Sequence, residues 1–417
     1  MPIKPIKIKV PGSKSLTNRV LLLASLSGKK IAVKNIGECD DTRFMTDGLK
    51  KIHESSSKKP IRIFTGNAGT ATRFLTAFAT LQEKTIIING NEQMRKRPIS
   101  KLTNALNSLG AKITSKNGFL PITIHPKKLQ GGKIKLRGDI SSQYLSALLM
   151  TTPFATKDTI INIEHKLCSI HYVKMTIKLL QQFGIKIVNK NFKQSIIQGN
   201  QKIKAPKTFE IESDASSASY LGAYSALHPS TPVLLENIGK NSLQGDIKFL
   251  DYLKKMGCKI TPAKTGTIIQ GPKILKSLKT IDMNETPDLV MTFAILAMFT
   301  EGSTKITNIA NLKIKETDRI AALKNEISKF SKFKITVKTG KDFIEILGRH
   351  APPGALPCAP FPKSPIIIET YKDHRIAMSF GIIQDLFPSL KIKNPNCVSK
   401  SYTTFWSDLK KLQTHNK

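Results

Sequence analysis

Six segments of one kind recur along the chain: Ser13–Leu26, Asn67–Leu81, Ser141–Ala155, Ser213–Leu227, Thr286–Phe299 and Asp373–Leu386. Each opens on polar side chains and continues as a run of small and apolar residues. The runs are apolar nearly all round, so as helices they have no face for water and must be buried. A second kind alternates with them. Pro98–Leu109, Ile170–Phe183 and Leu243–Met256 carry apolar residues at helical spacing, such as Ile99, Leu102, Leu106 and Leu109. Each is followed by a glycine suited to a left-handed cap (Gly110, Gly184, Gly257) and then by a strand-like triplet. Asp41–Ile52, Glu316–Phe330 and Phe405–Gln413 read as weaker copies of this second kind.

Recurrence of one unit signals a modular fold, and the unit here reads β-α-β-α-β-β over about 70 residues. Six copies in two sets of three predict an α/β protein of two similar domains. The break near Glu212–Asp214 assigns residues 1–12 with 214–417 to one domain and residues 13–213 to the other. Lys51–Ile63 is short and rich in Lys and Ser, so one copy is abridged, and the proline- and glycine-rich stretch Arg349–Ser364 reads as a loop. If the buried helices pack in parallel, their N-termini converge. Lys14, Asn67, Ser141, Asp288 and His374 lie at or near those ends, which predicts an interdomain cleft with positive helix-end potential.

Composition narrows the function. No apolar run is long enough to span a bilayer, and the first ten residues lack the core of a signal peptide. The five cysteines are scattered and lack metal-ligand spacing, so a reduced, cytoplasmic, metal-free protein is expected. The formal charge of +37 raises the possibility of a nucleic-acid binder. Aromatic residues are only 6% of the chain, however, and the lysines are spread along its whole length rather than gathered in a stripe. The charge is read as mostly solvated surface, with a local excess serving anionic substrates.

Pro11–Arg19 is a strand-turn-helix junction. Ser13, Ser15, Thr17 and Asn18 supply capping oxygens, and Lys14 and Arg19 add two positive charges. A helix start of this composition suits an anion, although a plain cap with two solvated cations has the same spelling. Gly66–Arg73 has small residues that allow close approach to the backbone, or merely tight helix packing. Arg95-Lys96-Arg97-Pro98 sets three cations at a helix start, and Ser141-Ser142-Gln143 sets three hydrogen-bonding side chains at another. Asn311–Arg319 brings both charge signs to the opening of an amphipathic helix, where surface ion pairing is the plain reading. Asp288 follows Pro287 and heads an almost wholly apolar helix, which suits a solvated face poorly.

Taken together the motifs are far more specific than any one of them. Pro-Gly-Ser-Lys-Ser-x-x-Asn-Arg at 11–19 resembles the opening of the 5-enolpyruvylshikimate-3-phosphate synthases, in the enolpyruvyl transferase family. So do Gly-Asn-Ala-Gly-Thr-Ala at 66–71, Arg-Pro-Ile at 97–99, Ser-Ser-Gln-Tyr at 141–144, Ser-Asp-Ala-Ser-Ser-Ala-Ser-Tyr at 213–220, Lys-Glu-Thr-Asp-Arg at 315–319 and Asp-His-Arg at 373–375. The matches run in order over nearly the whole chain.

The resemblance implies an inside-out α/β prism of two domains, each of three βαβαββ units. It implies transfer of the enolpyruvyl group of phosphoenolpyruvate to the 5-hydroxyl of shikimate 3-phosphate, with release of phosphate and no cofactor or metal. By the same resemblance Lys14, Ser15, Arg19, Ser141, Ser142, Gln143, Ser169, Tyr172, Asp288, Asn311 and Lys315 would contact shikimate 3-phosphate. Lys14, Asn67, Gly69, Arg97, Gln143, Arg319, Arg375 and Lys400 would contact phosphoenolpyruvate. Asp288 and Glu316 match the catalytic carboxylates. Addition needs a base for the hydroxyl proton and an acid for the methylene carbon. Asp288 is assigned to the first and Glu316 to the second, with Lys14 assisting both. The partners expected are these two small molecules, with no membrane or nucleic acid, and the chain is expected to be a monomer and a glyphosate target.

Phe74 departs from the family pattern, standing where many members have proline. The sister enzyme acting on UDP-N-acetylglucosamine would share the fold, but it carries a cysteine in the loop that here is Gly90–Arg97, which contains none. A basic RNA-binding protein on a related fold is the reading from another class. It has no account of Asp288, Glu316 and Arg319 occurring together.

Overall fold

The computed structural model describes residues 3–56, 59–239, 241–348 and 364–414. The loop expected at 349–364 lies outside these residues except for Ser364. The chain divides into two compact units, Met1–Gly12 with Glu212–Lys417, and Ser13–Ile211.

In the unit Ser13–Ile211, one sheet is built from Ile61–Phe64, Ile86–Asn89, Lys112–Ser115 and Ile122–His125. Its spatial order is first, second, fourth, third: the first two strands are parallel and the last two form an antiparallel hairpin on the second. Gly132–Arg137, Thr159–Glu164, Ile187–Lys190 and Gln194–Ile197 repeat that order. The third sheet has only two strands, Ala32–Lys34 and Thr208–Glu210, paired in parallel. The other unit follows the same plan. Two sheets have four strands in the same order, beginning at Ile6–Lys9 and Thr280–Asp282. A third pairs Ile366–Ile368 with Leu390–Ile392.

Four repeats are therefore complete, and two lack the terminal hairpin among the described residues. This corrects the expectation of six equal copies with one abridged. In the first case the physical reason is length: helix Asp40–Glu54 ends just before strand Ile61–Phe64, leaving no chain for two more strands.

Strand exchange explains why one unit is discontinuous. Ile6–Lys9 precedes helix Lys14–Ser27 in sequence, yet it pairs in parallel with Val233–Glu236. Thr208–Glu210 precedes helix Ala215–Leu227, yet it pairs with Ala32–Lys34. Near the two crossings, Gly12 bridges Ser213, the Ser213 hydroxyl donates to the Val10 carbonyl at 3.0 Å, and the Asp214 N–H donates to the Pro11 carbonyl at 2.8 Å.

The helices that are apolar all round lie inside. Ala215–Leu227, Val290–Ala297, His374–Gly381 and Gly69–Ala79 are buried at every residue, and Ser142–Thr151 at every residue but Gln143. Strands such as Ile61–Phe64 alternate buried and exposed positions, so the sheets turn one face to the helices and one outward. That is the inside-out arrangement. Gly110, Gly184 and Gly257 adopt φ of +100°, +76° and +99°, the left-handed region that lets each helix turn directly into the next strand.

Two helix starts differ from their sequence boundaries. Asp288 lies in a 3-10 turn, Pro287–Leu289, which runs into Val290–Ala297. The helix expected from Glu316 begins at Arg319, because Asp318 caps it by accepting the N–H groups of Ile320 and Ala321 at 3.1 Å. Glu316 therefore sits on a non-helical connection after the 3-10 turn Ala310–Ile314.

Candidate active site

In the unit containing Glu212–Lys417, the polar ends of three elements meet on one guanidinium. Arg319, at the first turn of its helix, is 1% exposed. Its Nε donates to Asp373 Oδ2 at 2.8 Å and its Nη2 to Asp373 Oδ1 at 3.2 Å. Its Nη1 donates to Asp288 Oδ1 at 3.2 Å, and its Nη2 to Glu316 Oε2 at 2.9 Å. Burial by itself works against the Arg319 charge, but the carboxylates of Asp373, Glu316 and Asp288 outweigh it and hold the guanidinium above its ordinary pKa. Arg375 Nη2 donates to Asp288 Oδ2 at 2.7 Å, and its Nη1 reaches the Tyr220 hydroxyl at 3.4 Å. Lys400 Nζ lies 3.8 Å from Glu316 Oε1.

Asp288, Glu316, Arg319, Arg375 and Lys400 thus form one cluster, although they are far apart in sequence. Asp373 stands among them, so three carboxylates face three cations and the local charges balance. Asp288 and Glu316, the pair assigned to proton transfer, are held on the same arginine and keep partial access to solvent, with side chains 19% and 10% exposed. Asn311 is buried in the turn Ala310–Ile314, and Lys315 is half-buried beside Glu316.

The unit Ser13–Ile211 holds a different arrangement. Arg19, also 1% exposed, meets only neutral acceptors among the described residues: Thr176 Oγ1 at 2.7 Å, Ser146 Oγ at 3.2 Å, and the carbonyls of Ser15 at 2.9 Å and Tyr172 at 3.3 Å. The Phe74 ring lies 5.1 Å and the Tyr172 ring 6.0 Å from its guanidinium carbon. Burial pulls the Arg19 pKa down to about 10. A buried guanidinium that no carboxylate offsets favours an anionic ligand, since a bound anion would lower the cost of the charge.

In the same unit, Lys14 Nζ pairs with Asp41 Oδ2 at 3.1 Å. Ser141 caps helix Ser142–Thr151 by accepting the Gln143 N–H, and Gln143 Nε2 donates to Thr70 Oγ1 at 3.0 Å. Ser142 and Ser169 are buried, and Ser169 occupies the N-cap position of helix Ile170–Gln182 with φ of +52° and no side-chain capping hydrogen bond. Asn67 Nδ2 donates to Gln93 Oε1 at 2.9 Å, on the single-turn helix Glu92–Arg95. Gly69 faces two guanidinium groups: a Cβ there would lie 2.6 Å from Arg73 Nη1 and 2.7 Å from Arg97 Nη1.

Several partners had no assignment from sequence. Asp373, in the Asp-His-Arg motif, is fully buried and holds Arg319 by two hydrogen bonds. Its signal was its place as a helix cap, since it accepts the Arg375 N–H at 2.9 Å. Asp41, Thr70, Arg73, Ser146, Thr176 and Tyr220 are the others. Thr70, Ser146 and Thr176 are short polar residues inside apolar runs, a pattern with no spacing of its own.

Comparison with known proteins shows the family and the fold. The family model for EPSP synthase (3-phosphoshikimate 1-carboxyvinyltransferase) matches residues 4–409. The 3-phosphoshikimate 1-carboxyvinyltransferase of Buchnera aphidicola subsp. Baizongia pistaciae (strain Bp) is 40% identical over 97% of this chain and 96% of its own. That of Haemophilus influenzae (strain PittEE) is 40% identical over the same shares. The chloroplastic enzyme of Brassica napus is 37% identical over 99% of this chain and 84% of its own. A solved EPSP synthase from Acinetobacter baumannii has the same fold, with a TM-score of 0.74 and 24% identity over 97% of this chain and 95% of that one.

Proposed function

The chain belongs to the EPSP synthase family, and on that premise we propose how its two clusters divide the work of the reaction. The reaction moves the enolpyruvyl group of phosphoenolpyruvate to the 5-hydroxyl of shikimate 3-phosphate and releases phosphate.

Asp288 accepts the proton of the attacking hydroxyl. Glu316 donates a proton to the phosphoenolpyruvate methylene, which makes the adjacent carbon electrophilic, and recovers it when phosphate leaves. Lys14 assists both steps. Arg97, Arg319, Arg375 and Lys400, with Asn67 and Gly69, receive phosphoenolpyruvate, where guanidinium forks suit carboxylate and phosphate. Ser15, Arg19, Ser141, Ser142, Ser169, Tyr172, Asn311 and Lys315 receive shikimate 3-phosphate, and Gln143 serves both.

The observation that carries this reading is the pair of carboxylates on Arg319. The guanidinium holds Asp288 and Glu316 at 3.2 and 2.9 Å, close enough to serve the two reacting atoms of one addition. Arg19 supports the other half, as a buried cation offset by no carboxylate among the described residues.

No helix of the described residues is long and apolar enough to cross a membrane. Cys39, Cys258 and Cys397 carry free thiols, which suits a reducing, cytoplasmic compartment. The test is phosphate release by the purified chain given phosphoenolpyruvate and shikimate 3-phosphate. Release with a UDP-amino sugar in place of shikimate 3-phosphate, and not with it, would overturn the assignment.

A further inference from the structure

Two turns along the helix from Arg319, on the same stripe, stands a buried carboxylate that the reaction does not use. Glu326 is 1% exposed and lies seven residues after Arg319 in helix Arg319–Ser328. Its Oε1 accepts the Tyr371 hydroxyl at 2.9 Å. Its Oε2 accepts the Glu369 backbone N–H at 2.9 Å and pairs with Lys329.

The segment it grips is strained. Tyr371 and Lys372 adopt φ of +54° and +55°, two successive left-handed residues that are not glycine. Side chains hold that conformation only where their surroundings enforce it, and such strain gathers at functional sites. The strained pair leads directly into Asp373, which Arg319 grips, and on to Arg375, which holds Asp288. One face of one helix therefore clamps the segment 369–373 twice, through a cation at one end and an anion at the other.

We propose that Glu326 is a positioning residue: it fixes the 369–372 turn so that Asp373 and Arg375 reach the cluster in working geometry. The inference rests on the reading that Arg375 receives phosphoenolpyruvate. A loosened turn displaces Arg375, and displacements of about 1 Å at a positioning group cost up to about a hundredfold in rate.

The experiment is steady-state kinetics of Glu326→Leu with each substrate varied in turn. The KM for phosphoenolpyruvate is expected to rise about tenfold or more, while that for shikimate 3-phosphate changes less than about twofold. Glu326→Gln keeps an acceptor for the Glu369 N–H and offers its amide to the Tyr371 oxygen, so it should recover most of the loss. A lower melting temperature and a smaller active fraction, with both KM values unchanged, would mean that Glu326 only stabilises the fold, and the proposal would be wrong. Should Glu326→Leu fail to fold, Tyr371→Phe removes the hydrogen bond to Glu326, together with the longer one accepted from Asn325 Nδ2 at 3.4 Å. It should raise the phosphoenolpyruvate KM about threefold, and no rise overturns the proposal. Arg375→Ala is the reference. If it raises that KM and Glu326→Leu does not, the clamp is refuted. If Arg375→Ala itself leaves the KM unchanged, the reading of the site falls and the inference falls with it.

Discussion

Arg319 and Asp373 form a bidentate ion pair away from solvent: two guanidinium nitrogens donate to the two oxygens of one carboxylate, and the side chains are 1% and 0% exposed. Removing one partner of such a pair leaves a buried charge poorly offset, at a cost of about 3–5 kcal/mol. Asp288 and Glu316 remain on Arg319, so Asp373→Asn should lie at the lower end, about 3 kcal/mol, and should abolish most activity because both carboxylates re-seat. Arg319→Lys should fare no better, since a lysine cannot serve three carboxylates at fixed angles. Denaturant melts of the two variants check this. Wild-type stability in Asp373→Asn would show that the pair is not a structural anchor.

Glu316→Gln and Asp288→Asn test the chemistry itself. Both amides are close in size and keep one oxygen towards Arg319, so folding and substrate binding should survive. Proton transfer should not, and general acid–base groups contribute roughly 10²–10⁴-fold each. Calorimetric binding of shikimate 3-phosphate alongside turnover separates the two effects. Near-normal turnover in either variant would remove that residue from its role.

What the sequence made legible follows from physics of two kinds. Helices such as Ala215–Leu227 were readable because an apolar run with no polar face has only one place to go. The cluster at Arg319 was readable only as separate motifs. Its assembly depends on Asp373, 54 residues away, and no local pattern encodes that pairing. Glu316 was read into a helix because its neighbours are good helix formers, but Asp318 caps the helix and leaves Glu316 outside it. The hairpin missing after Asp40–Glu54 is a matter of chain length, and the pairing that makes that sheet, Thr208–Glu210 on Ala32–Lys34, joins two three-residue strands far apart in sequence, which no local pattern signals. Phe74 stands where many family members have proline. It is buried, with its ring towards Arg19.

Gly69→Ala should leave the fold intact and spoil the phosphoenolpyruvate end of the site. The new methyl would lie 2.7 Å from Arg97 Nη1, closer than side chains tolerate, and a guanidinium at the end of a flexible chain can retreat. The expected outcome is a phosphoenolpyruvate KM raised roughly tenfold. Wild type should be inhibited by glyphosate competitively with phosphoenolpyruvate, and the variant should lose inhibitor affinity by a larger factor than substrate affinity. Inhibition constants measured on both proteins decide it. Equal losses would place the methyl away from the space the inhibitor occupies.

Phe74→Leu asks what the ring does for Arg19. Leucine fills much of the volume but has no π face for a guanidinium 5.1 Å away. Arg19 has no carboxylate partner among the described residues, so the ring's contribution should be visible, at about 1–2 kcal/mol of stability. The check is a pair of thermal melts, one without ligand and one with saturating shikimate 3-phosphate. The bound anion should recover part of the loss by supplying the charge that Arg19 lacks. An unchanged melting temperature without ligand would show that the ring only fills space.

Away from the clusters, Asp385 gives the chain an acid-sensitive contact. Its Oδ2 accepts the Tyr224 hydroxyl at 2.7 Å and lies 3.1 Å from His228 Nε2, while the Tyr224 and His228 rings stack at 4.0 Å. Burial alone would raise the Asp385 pKa, but the contacts with His228 and Tyr224 outweigh it and the net shift is downward. The folded carboxylate therefore gives up its proton more readily than the unfolded one, and the folded state binds fewer protons in this range. Its stabilisation is complete above the unfolded value of about 4 and is lost as pH falls through the lower folded value. Asp385→Asn cannot titrate, so it should melt below wild type at about pH 6, with the gap closing as pH is lowered towards about 3. Melting temperatures of both proteins across that range test it. A gap that stays constant from pH 6 to pH 3 would mean that some other carboxylate governs the acid loss.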